Sequence, residues 1–364
     1  MTGDRASTTG AYPSFRLPSF PRFAPALRRP DLDHLEARCR TWLSRALRDA
    51  HGDDPAGFQR FLDQRTSLWS LLTYPTSRPD RVEVVCRWID VLFSLDDAFA
   101  HASPRRTRDL GLHELPAVLD GGTATTRTPH LRALTTLWRQ LRADMPTPLR
   151  ERFARTTADF FHACRTEREW QDSRTAIDPS VYVRTRGKSI GECCFPLLEH
   201  GLGLDLTGDL AVRPELRELN ALVARHWIGV NDIFSYRKEL HSGDTMNEIA
   251  LDPFADDLQT AVDRVAATVR EVEDRFLVLR AQLLAGAAGN SPGVRQYAEA
   301  LGWMLAGNLE WSYITTRYHG AGHVWNGCRD AVVTLTPRRT IFATASTTPP
   351  RPDDMHRCDP RTTG

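Results

Sequence analysis

The segment Val230-Asn-Asp-Ile-Phe-Ser-Tyr-Arg-Lys-Glu239 carries three oxygen-bearing side chains at helical spacing. Asn231, Ser235 and Glu239 lie four residues apart, so an α-helix stacks them along one face. Amide, hydroxyl and carboxylate oxygens are hard ligands, the kind that Mg²⁺ or Mn²⁺ prefers. A solvent-facing helix could present the same residues, but apolar neighbours such as Ile233 favour a buried face. The segment therefore predicts a helix with a metal-binding face.

The same helical periodicity extends over most of the chain, and turn residues separate the predicted helices. There is no alternating strand pattern, no glycine-rich phosphate loop and no repeat of fixed period. A single all-α helical bundle domain over residues 31–335 is the simplest interpretation. The predicted helices are Leu35–Ala50, Arg81–His101, Leu131–Met145, Pro148–Arg168, Pro179–Leu202, Pro214–Leu240, Phe254–Ala288 and Pro292–Tyr318.

The two ends of the chain differ in composition from this middle part. Residues 1–30 are rich in Pro, Ser, Thr and Gly, which argues against regular structure there. The aromatic residues of the segment Phe15–Phe23 could still pack as an extended strap. Residues 336–364 are rich in Pro, Thr and Arg with few apolar residues, so we predict a disordered tail.

Composition and charge exclude several classes of protein. The 364 residues include 47 Lys+Arg and 46 Asp+Glu, which gives a formal net charge of +1, and 41% are hydrophobic. Such balanced charge is not typical of a nucleic-acid-binding domain. The apolar runs are too short for a membrane span, and the N-terminus lacks the apolar core of a secretory signal. Seven scattered cysteines without CxxC spacing indicate reduced thiols, so we expect a cytoplasmic protein.

Two adjacent acids, Asp96 and Asp97, lie near the end of an otherwise apolar predicted helix. Ionised carboxylates are rarely buried unless they are paired or bind a metal. A divalent cation would also remove the repulsion between neighbouring acids. The pair could mark a solvated helix end instead, but the flanking Phe93 and Phe99 favour an inward-facing position.

Arginine supplies nearly all the positive charge, and lysine occurs only at Lys188 and Lys238. Arg186 lies beside a predicted buried helix, and a guanidinium group suits bidentate phosphate binding. An arginine in this position could equally form a salt bridge. The nearby Gly187 and Gly191 predict a bend or break in the helix.

The last predicted helix combines an aromatic stripe with an arginine near its end. At 100° per residue, Trp303, Trp311 and Tyr318 project within about 80° of one another, with Gly307 between them. Such a stripe could be ordinary core, but the faces of aromatic rings also attract cations. Arg317 lies at the rim of the stripe.

Together these features resemble the class I terpene synthase (terpene cyclase) family of bacteria, over most of the chain. Members of that family carry an aspartate-rich motif, an Asn/Asp–Ser–Glu metal triad, a diphosphate-sensing arginine and a terminal Arg-Tyr pair. Arg186 precedes Asn231 by 45 residues, the separation typical of the sensing arginine. The matching residues are Asp96 and Asp97, the triad Asn231, Ser235 and Glu239 with the basic Lys238, the sensor Arg186, and the pair Arg317 and Tyr318.

The resemblance implies an activity and roles for the site residues. Such enzymes hold three Mg²⁺ ions, for which Mn²⁺ can substitute, between two acidic helices, and the ions bind the diphosphate of a linear prenyl substrate. Departure of the diphosphate leaves an allyl cation that cyclises in an apolar pocket to a hydrocarbon or an alcohol. The implied roles are diphosphate binding for Arg186, Lys238, Arg317 and Tyr318, stabilisation of the cation for Phe93, Trp303 and Trp311, and relay of ligand sensing to a helix break for Ser189 and Ile190.

Farnesyl diphosphate is the substrate that the chain length and motif style favour, and geranylgeranyl diphosphate is the alternative. The aspartate-rich motif of the family usually has a third acid three or four residues after the second aspartate, and here those positions hold Ala100 and His101. A catalytically inactive relative of the family is therefore an alternative. A prenyl chain-elongating synthase would need a second aspartate-rich motif and several lysines. A non-catalytic helical binding protein would need no inward-facing set of hard ligands. A homodimer is also open, because members of the family are often dimers.

Overall fold

The structure is a computed structural model that describes residues 12–52, 54–101, 110–173, 177–252 and 257–336, with the backbone alone at 99–101. The described chain is predominantly α-helical, which confirms the predicted all-α fold class. A short antiparallel sheet pairs β1 (Ser14–Arg16) with β2 (Val332–Thr334). The helices are α1 (Leu32–Ala46), α2 (Pro55–Leu62), α3 (Thr66–Thr73), α4 (Val82–His101), α5 (Leu115–Leu119), α6 (Pro129–Asp144), α7 (Thr147–Ser173), α8 (Pro179–Gly191), α9 (Cys194–Leu202), α10 (Thr207–Val212), α11 (Pro214–Ser242), α12 (Glu248–Leu251), α13 (Leu258–Ala285), α14 (Pro292–Ile314) and α15 (Thr316–His319).

Side-chain caps determine where several of these helices begin. Thr128, Asp178 and Asp257 each accept a hydrogen bond from a backbone amide in the first turn of α6, α8 and α13. Ser291 caps α14 in the same way, and its neighbour Pro292 suits the first helical position because it needs no amide donor. These starts agree within a few residues with those predicted from turn chemistry.

The long helix α11 packs against α8, α13 and α14. Its side chains Leu219, Val223, Val230 and Ile233 are fully buried, and burial of such apolar surface is the main stabilising contribution to the fold. Helix α3 packs against α4 and α14, and α4 also contacts α6 and α7. The oxygen-bearing face of α11 therefore lies inside the bundle rather than on its surface.

Helices α3 and α14 approach each other closely at Gly307. A β-carbon at this position would lie 2.2 Å from the carbonyl oxygen of Leu72, so a larger residue would force the two helices apart. The glycine that lies between the aromatic residues of the predicted stripe thus allows the backbone of α3 to pack directly against α14.

The predicted helix Pro179–Leu202 is interrupted after Gly191, as the sequence indicates. Gly191 has a φ of +133°, a conformation that side-chain-bearing residues rarely adopt. A β-carbon there would lie 3.0 Å from Sγ of Cys194, so the break also brings α8 and α9 close together. The chain therefore turns at the residue that follows Ile190.

The predicted helix Pro292–Tyr318 is also interrupted, which the sequence does not indicate. Thr315 has extended backbone angles and its hydroxyl accepts a hydrogen bond from the amide of Arg317, so a new helix begins there. Tyr318 consequently lies on α15, whereas Trp303 and Trp311 lie on α14. The prediction of one continuous aromatic stripe is wrong at its last member.

The N-terminal strap packs against the bundle. Phe15, Leu17, Phe20 and Phe23 are at most 8% exposed, in agreement with the packing expected of these residues. The strand Ser14–Arg16, in contrast, is not predicted, because three residues are too few to show an alternating pattern.

No helix of the described chain is long and apolar enough to cross a membrane. No disulfide joins the cysteines that the structure describes. The side chains of Ala100 and His101 lie outside the described residues, as do residues 1–11 of the strap and the predicted tail beyond Thr336.

Candidate active site

Two recesses meet in the middle of the bundle, and five residues line both: Asp96, Arg186, Asn231, Arg317 and Tyr318. We call them the apolar chamber and the polar chamber. The apolar chamber is further lined by Trp69, Ile89, Leu92, Phe93, Phe160, Ser189, Ile190, Gly191, Cys193, Cys194, Trp227, Asn308 and Trp311. The polar chamber is further lined by Cys164, Glu167, Arg168, Gln171, Ser235, Lys238, Glu239, Ser242, Asp244 and Met246.

Arg317 connects the two acids of α4 to the end of the chain's last helix. Its Nη2 donates to Oδ2 of Asp96 and its Nη1 donates to Oδ1 of Asp97, each at 2.6 Å. Nη1 also donates to Oε1 of Gln64 at 3.0 Å. The guanidinium is 5% exposed, and burial disfavours its charge, yet the two carboxylates raise the pKa of Arg317. A permanently charged group is therefore held at the junction of the chambers.

Asp97 lies beside this junction but lines neither chamber. Burial opposes its ionisation, but Arg317 and Lys238 outweigh that effect and lower the pKa of Asp97 to about 2. Nζ of Lys238 lies 3.6 Å from Oδ1 of Asp97. Asp97 is thus an ionised partner of two cations, and its assignment to the metal site beside Asp96 stays a prediction.

Asn231 lies between two groups predicted to bind diphosphate. Its Oδ1 accepts a hydrogen bond from Nη2 of Arg186 at 2.8 Å, and its Nδ2 donates to the phenol oxygen of Tyr318 at 2.8 Å. Burial raises the pKa of Tyr318 to about 12, so the phenol keeps its proton at neutral pH. One lone pair of the Asn231 amide oxygen is thus used by Arg186, and the second is available to another ligand.

Glu239 and Ser235 complete the oxygen-bearing face of α11. Oε2 of Glu239 accepts a hydrogen bond from Nδ2 of Asn247 at 2.7 Å. Burial raises the pKa of Glu239, and the nearby Asp244 raises it further. Oγ of Ser235 is buried beside the carboxylate of Glu239, whose pKa it lowers, and it makes no hydrogen bond of normal geometry with any residue that the structure describes.

These observations test whether the residues fit a metal ion. A divalent cation would give Oγ of Ser235 a partner and would offset the repulsion between Glu239 and Asp244. No group of three or more His, Cys, Asp and Glu side chains is placed to hold a metal within the described ranges. The donor set is instead an amide, a hydroxyl and a carboxylate on α11, which share the polar chamber with Asp96. Oxygen donors of this kind fit Mg²⁺ or Mn²⁺.

Glu167 on α7 is a functional candidate that the sequence does not single out. Its Oε2 accepts a hydrogen bond from Nη1 of Arg186 at 3.4 Å, and its Oε1 accepts one from Oγ of Ser189. Burial raises the pKa of Glu167, and Arg186 opposes that shift. Sequence gives no means of separating it from Glu169, two residues later, although their side chains are 13% and 69% exposed.

The aromatic side chains of the apolar chamber form a continuous set of ring contacts. Trp69 lies 5.7 Å from Phe93 and 5.4 Å from Trp227, measured between ring centroids. Phe93 lies 5.4 Å from Trp311, which lies 5.5 Å from Tyr318 on the polar side. Trp69 and Trp227 were not predicted, because the apolar helices around them look like ordinary core.

Trp303 does not belong to this wall, which corrects its predicted role. It is partly buried and packs against the core elsewhere. On α14 it lies about 140° around the axis from Asn308, which lines the apolar chamber. The remaining wall residues predicted from the sequence, Phe93 and Trp311, do line it, as do Ser189 and Ile190.

Comparison with known proteins connects this arrangement to a family. A family model described as terpene synthase family 2, C-terminal metal binding, matches residues 87–275, just over half of the chain. The matched range contains Asp96, Arg186 and the whole oxygen-bearing face of α11, and it ends before Arg317.

Similar sequences match along most of the chain. Microbial terpene synthase-like protein 13 of Selaginella moellendorffii is 28% identical over 312 residues, which cover 82% of this chain and 86% of the relative. The (3S,6E)-nerolidol synthase of the same organism is 25% identical over 317 residues, or 85% of each chain. Sesquiterpene synthase 3 of Postia placenta is 26% identical over 265 residues, or 72% of each chain.

Solved structures share the fold. The linalool/nerolidol synthase of Streptomyces clavuligerus in complex with 2-fluorogeranyl diphosphate aligns with a TM-score of 0.70 at 22% identity, over 82% of this chain and 100% of that chain. The germacradien-4-ol synthase of Streptomyces citricolor aligns with a TM-score of 0.68 at 22% identity, over 81% and 97% of the two chains. At these identities the likeness concerns the fold.

Proposed function

Because the chain belongs to terpene synthase family 2, we propose that it is a Mg²⁺-dependent terpene cyclase, a carbon–oxygen lyase that releases diphosphate from a linear prenyl diphosphate. The observation that carries the proposal is the junction of the two chambers. Oxygen donors and cations lie on one side of Asp96, Asn231 and Arg317, and aromatic rings in edge-to-face and tilted contact lie on the other. A substrate with a charged head and a hydrocarbon tail matches both sides at once.

The residues of the polar chamber divide into two sets. Asp96 on one helix, and Asn231, Ser235 and Glu239 on another, would hold Mg²⁺ ions, three of them by resemblance to the family. When bound, these ions neutralise the charge that develops on the leaving diphosphate. Arg186, Lys238, Arg317 and Tyr318 are donors, and they would bind the diphosphate oxygens directly.

Substrate binding would exchange the partners of these donors. Arg317 donates to Asp96 and Asp97, and Arg186 donates to Asn231 and Glu167, so each cation already has acceptors of its own. A diphosphate offers both arginines stronger acceptors and thereby releases Asp96 and Asn231 for metal. Binding of metal and binding of diphosphate would therefore reinforce each other.

The apolar chamber would hold the hydrocarbon tail and the cation formed from it. The rings of Trp69, Phe93 and Trp227 line this chamber, and an aromatic ring can stabilise a neighbouring cation through its quadrupole. Enclosure of the tail also excludes bulk water, which would otherwise end the reaction early.

Farnesyl diphosphate is the favoured substrate, and geranylgeranyl diphosphate is the alternative. The relatives named above include a nerolidol synthase and a sesquiterpene synthase, which supports a C15 chain. These two relatives come from Selaginella and Postia and do not bear on a bacterial origin. We infer a bacterial origin from the style of the motifs alone.

The test is incubation of the purified protein with geranyl, farnesyl and geranylgeranyl diphosphate, with Mg²⁺ and with chelator. We expect Mg²⁺-dependent release of diphosphate and an extractable terpene from one of the three. Longer prenyl diphosphates formed on addition of isopentenyl diphosphate would instead identify a chain-elongating synthase. If no substrate is consumed and inorganic diphosphate does not bind in the presence of Mg²⁺, the protein is a non-catalytic helical binding protein.

A further inference from the structure

A buried amide lies among the aromatic side chains of the apolar chamber. Asn308 on α14 is 8% exposed and lines that chamber. Its Oδ1 accepts a hydrogen bond from the indole nitrogen of Trp69 at 2.9 Å. An indole nitrogen donates and cannot accept, so the oxygen of the amide must face Trp69 and Nδ2 must face away from it. The orientation of the amide is thereby fixed.

Nδ2 of Asn308 is buried and has no hydrogen-bond partner among the residues that the structure describes. A buried donor without a partner is unfavourable, and native proteins contain few of them. Holding Trp69 in place uses only the oxygen of the amide and leaves both N–H groups unused. A small acceptor that enters the chamber during the reaction would satisfy them.

The position of Asn308 separates it from the diphosphate-binding groups. It lines the apolar chamber alone, whereas Arg317 and Tyr318 line both chambers. Along α14 it precedes Trp311 by three residues, or about 4.5 Å of helix axis. Its neighbour Trp69 contacts Phe93 and Trp227, so the amide lies where the hydrocarbon cation would be surrounded by ring faces.

We propose that Nδ2 of Asn308 binds a water molecule that captures the carbocation, so that the product is a terpene alcohol. The proposal rests on the proposed function, which supplies the cation. The amide donates an N–H to the water oxygen and leaves an oxygen lone pair for the cationic carbon. A C–O bond forms, and the protonated alcohol gives its extra proton to the released diphosphate. Prenyl diphosphate and water thus become alcohol and diphosphate.

The polarity of the amide excludes direct stabilisation of the cation by this group. An N–H bond presents the positive end of its dipole, so Nδ2 repels a neighbouring cation and attracts the oxygen of a water molecule. The amide oxygen, which could face a cation, is occupied by Trp69. Asn308 is therefore the water-binding residue, and Trp69 is the positioning residue that sets its orientation.

Turnover of the wild-type protein in H₂¹⁸O tests the proposal. We expect the main product to be an alcohol that contains one ¹⁸O atom, because its C–O bond is made to water. A product that is entirely hydrocarbon would overturn the proposal. An alcohol that keeps the substrate's own oxygen, as P–O cleavage by a phosphatase would produce, would also overturn it. The hydrocarbon result leaves the proposed function standing, whereas an alcohol formed by P–O cleavage, or absence of diphosphate release from every prenyl diphosphate, overturns both.

Variants of the amide give a second test. Asn308→Leu should lower the ratio of alcohol to hydrocarbon among the products by roughly tenfold or more. The double variant Trp69→Phe/Asn308→Leu removes both partners, so no buried indole N–H is left unpaired. Leu301→Met is the matched control, because Leu301 lies on the same helix, is buried and lines neither chamber. An unchanged ratio in both Asn308 variants would overturn the proposal.

Discussion

Arg317 donates hydrogen bonds of 2.6 Å to Asp96 and to its neighbour Asp97, and so joins the first acid of the predicted metal site to the cation predicted to bind diphosphate. The same group thus neutralises a predicted metal ligand in the absence of substrate and, in our proposal, binds the leaving group in its presence. Several predictions rest on this exchange of partners and on the contacts that support it.

Arg317→Gln should lower kcat/KM for the prenyl diphosphate by on the order of 100-fold, about 2.7 kcal/mol, because a charged donor to the diphosphate is lost. It should also weaken the binding of inorganic diphosphate in the presence of Mg²⁺, measured by isothermal titration calorimetry. Arg60→Gln, which changes a surface arginine paired with Asp54, is the control and should behave as wild type. Wild-type affinity for diphosphate in Arg317→Gln would contradict the assigned contact.

Glu167→Gln should lower kcat/KM by roughly tenfold or more, because the neutral amide holds Arg186 and Ser189 less firmly than the carboxylate does. Glu169→Gln changes a side chain two residues away that is 69% exposed, and it should leave the kinetics unchanged. Glu167 acts through Arg186, so the loss should also appear as weaker binding of inorganic diphosphate. Equal kinetics for the two variants would show that the buried contact has no part in the reaction.

Stability should depend on pH through Asp90, which is buried and accepts hydrogen bonds from Thr66 and Ser67. Burial raises the pKa of Asp90 to about 7. The native state therefore keeps a proton that the unfolded chain loses near pH 4, so the free energy of unfolding should fall by on the order of 3 kcal/mol between about pH 4 and 7.

Urea unfolding of wild type and Asp90→Asn across this range measures the effect. The variant should show a flatter profile between pH 4 and 7, because its amide does not titrate. Asp263→Asn, at an exposed position, should keep the wild-type profile. A decline of equal size in Asp90→Asn would assign the pH dependence to other groups.

Helical periodicity predicts much of this architecture because it reports which face of each helix is buried. The spacing of Asn231, Ser235 and Glu239 predicts their shared face, and α11 carries them together into the polar chamber. The break at Gly191 follows from glycine's access to positive φ. Both features depend on local chemistry, which a sequence records directly.

Features that depend on how helices and strands pack against one another cannot be predicted from local sequence patterns. Trp303 and Trp227 both lie in apolar helices, and only the packing of those helices decides that Trp227 lines the chamber and Trp303 does not. The strands β1 and β2 pair three residues each across most of the chain length, too few for a sequence pattern. The break at Thr315, which has no glycine or proline, separates Tyr318 from the helix before it.

The central claim is that the oxygen-bearing face of α11 binds metal and thereby releases diphosphate from a prenyl substrate. The most direct test is Mg²⁺-dependent diphosphate release by wild type, Glu239→Gln and Glu218→Gln, the last being a surface position on the same helix. The account predicts release by wild type and Glu218→Gln, and at least about 100-fold slower release by Glu239→Gln with the fold intact by circular dichroism. Full activity of Glu239→Gln would contradict it.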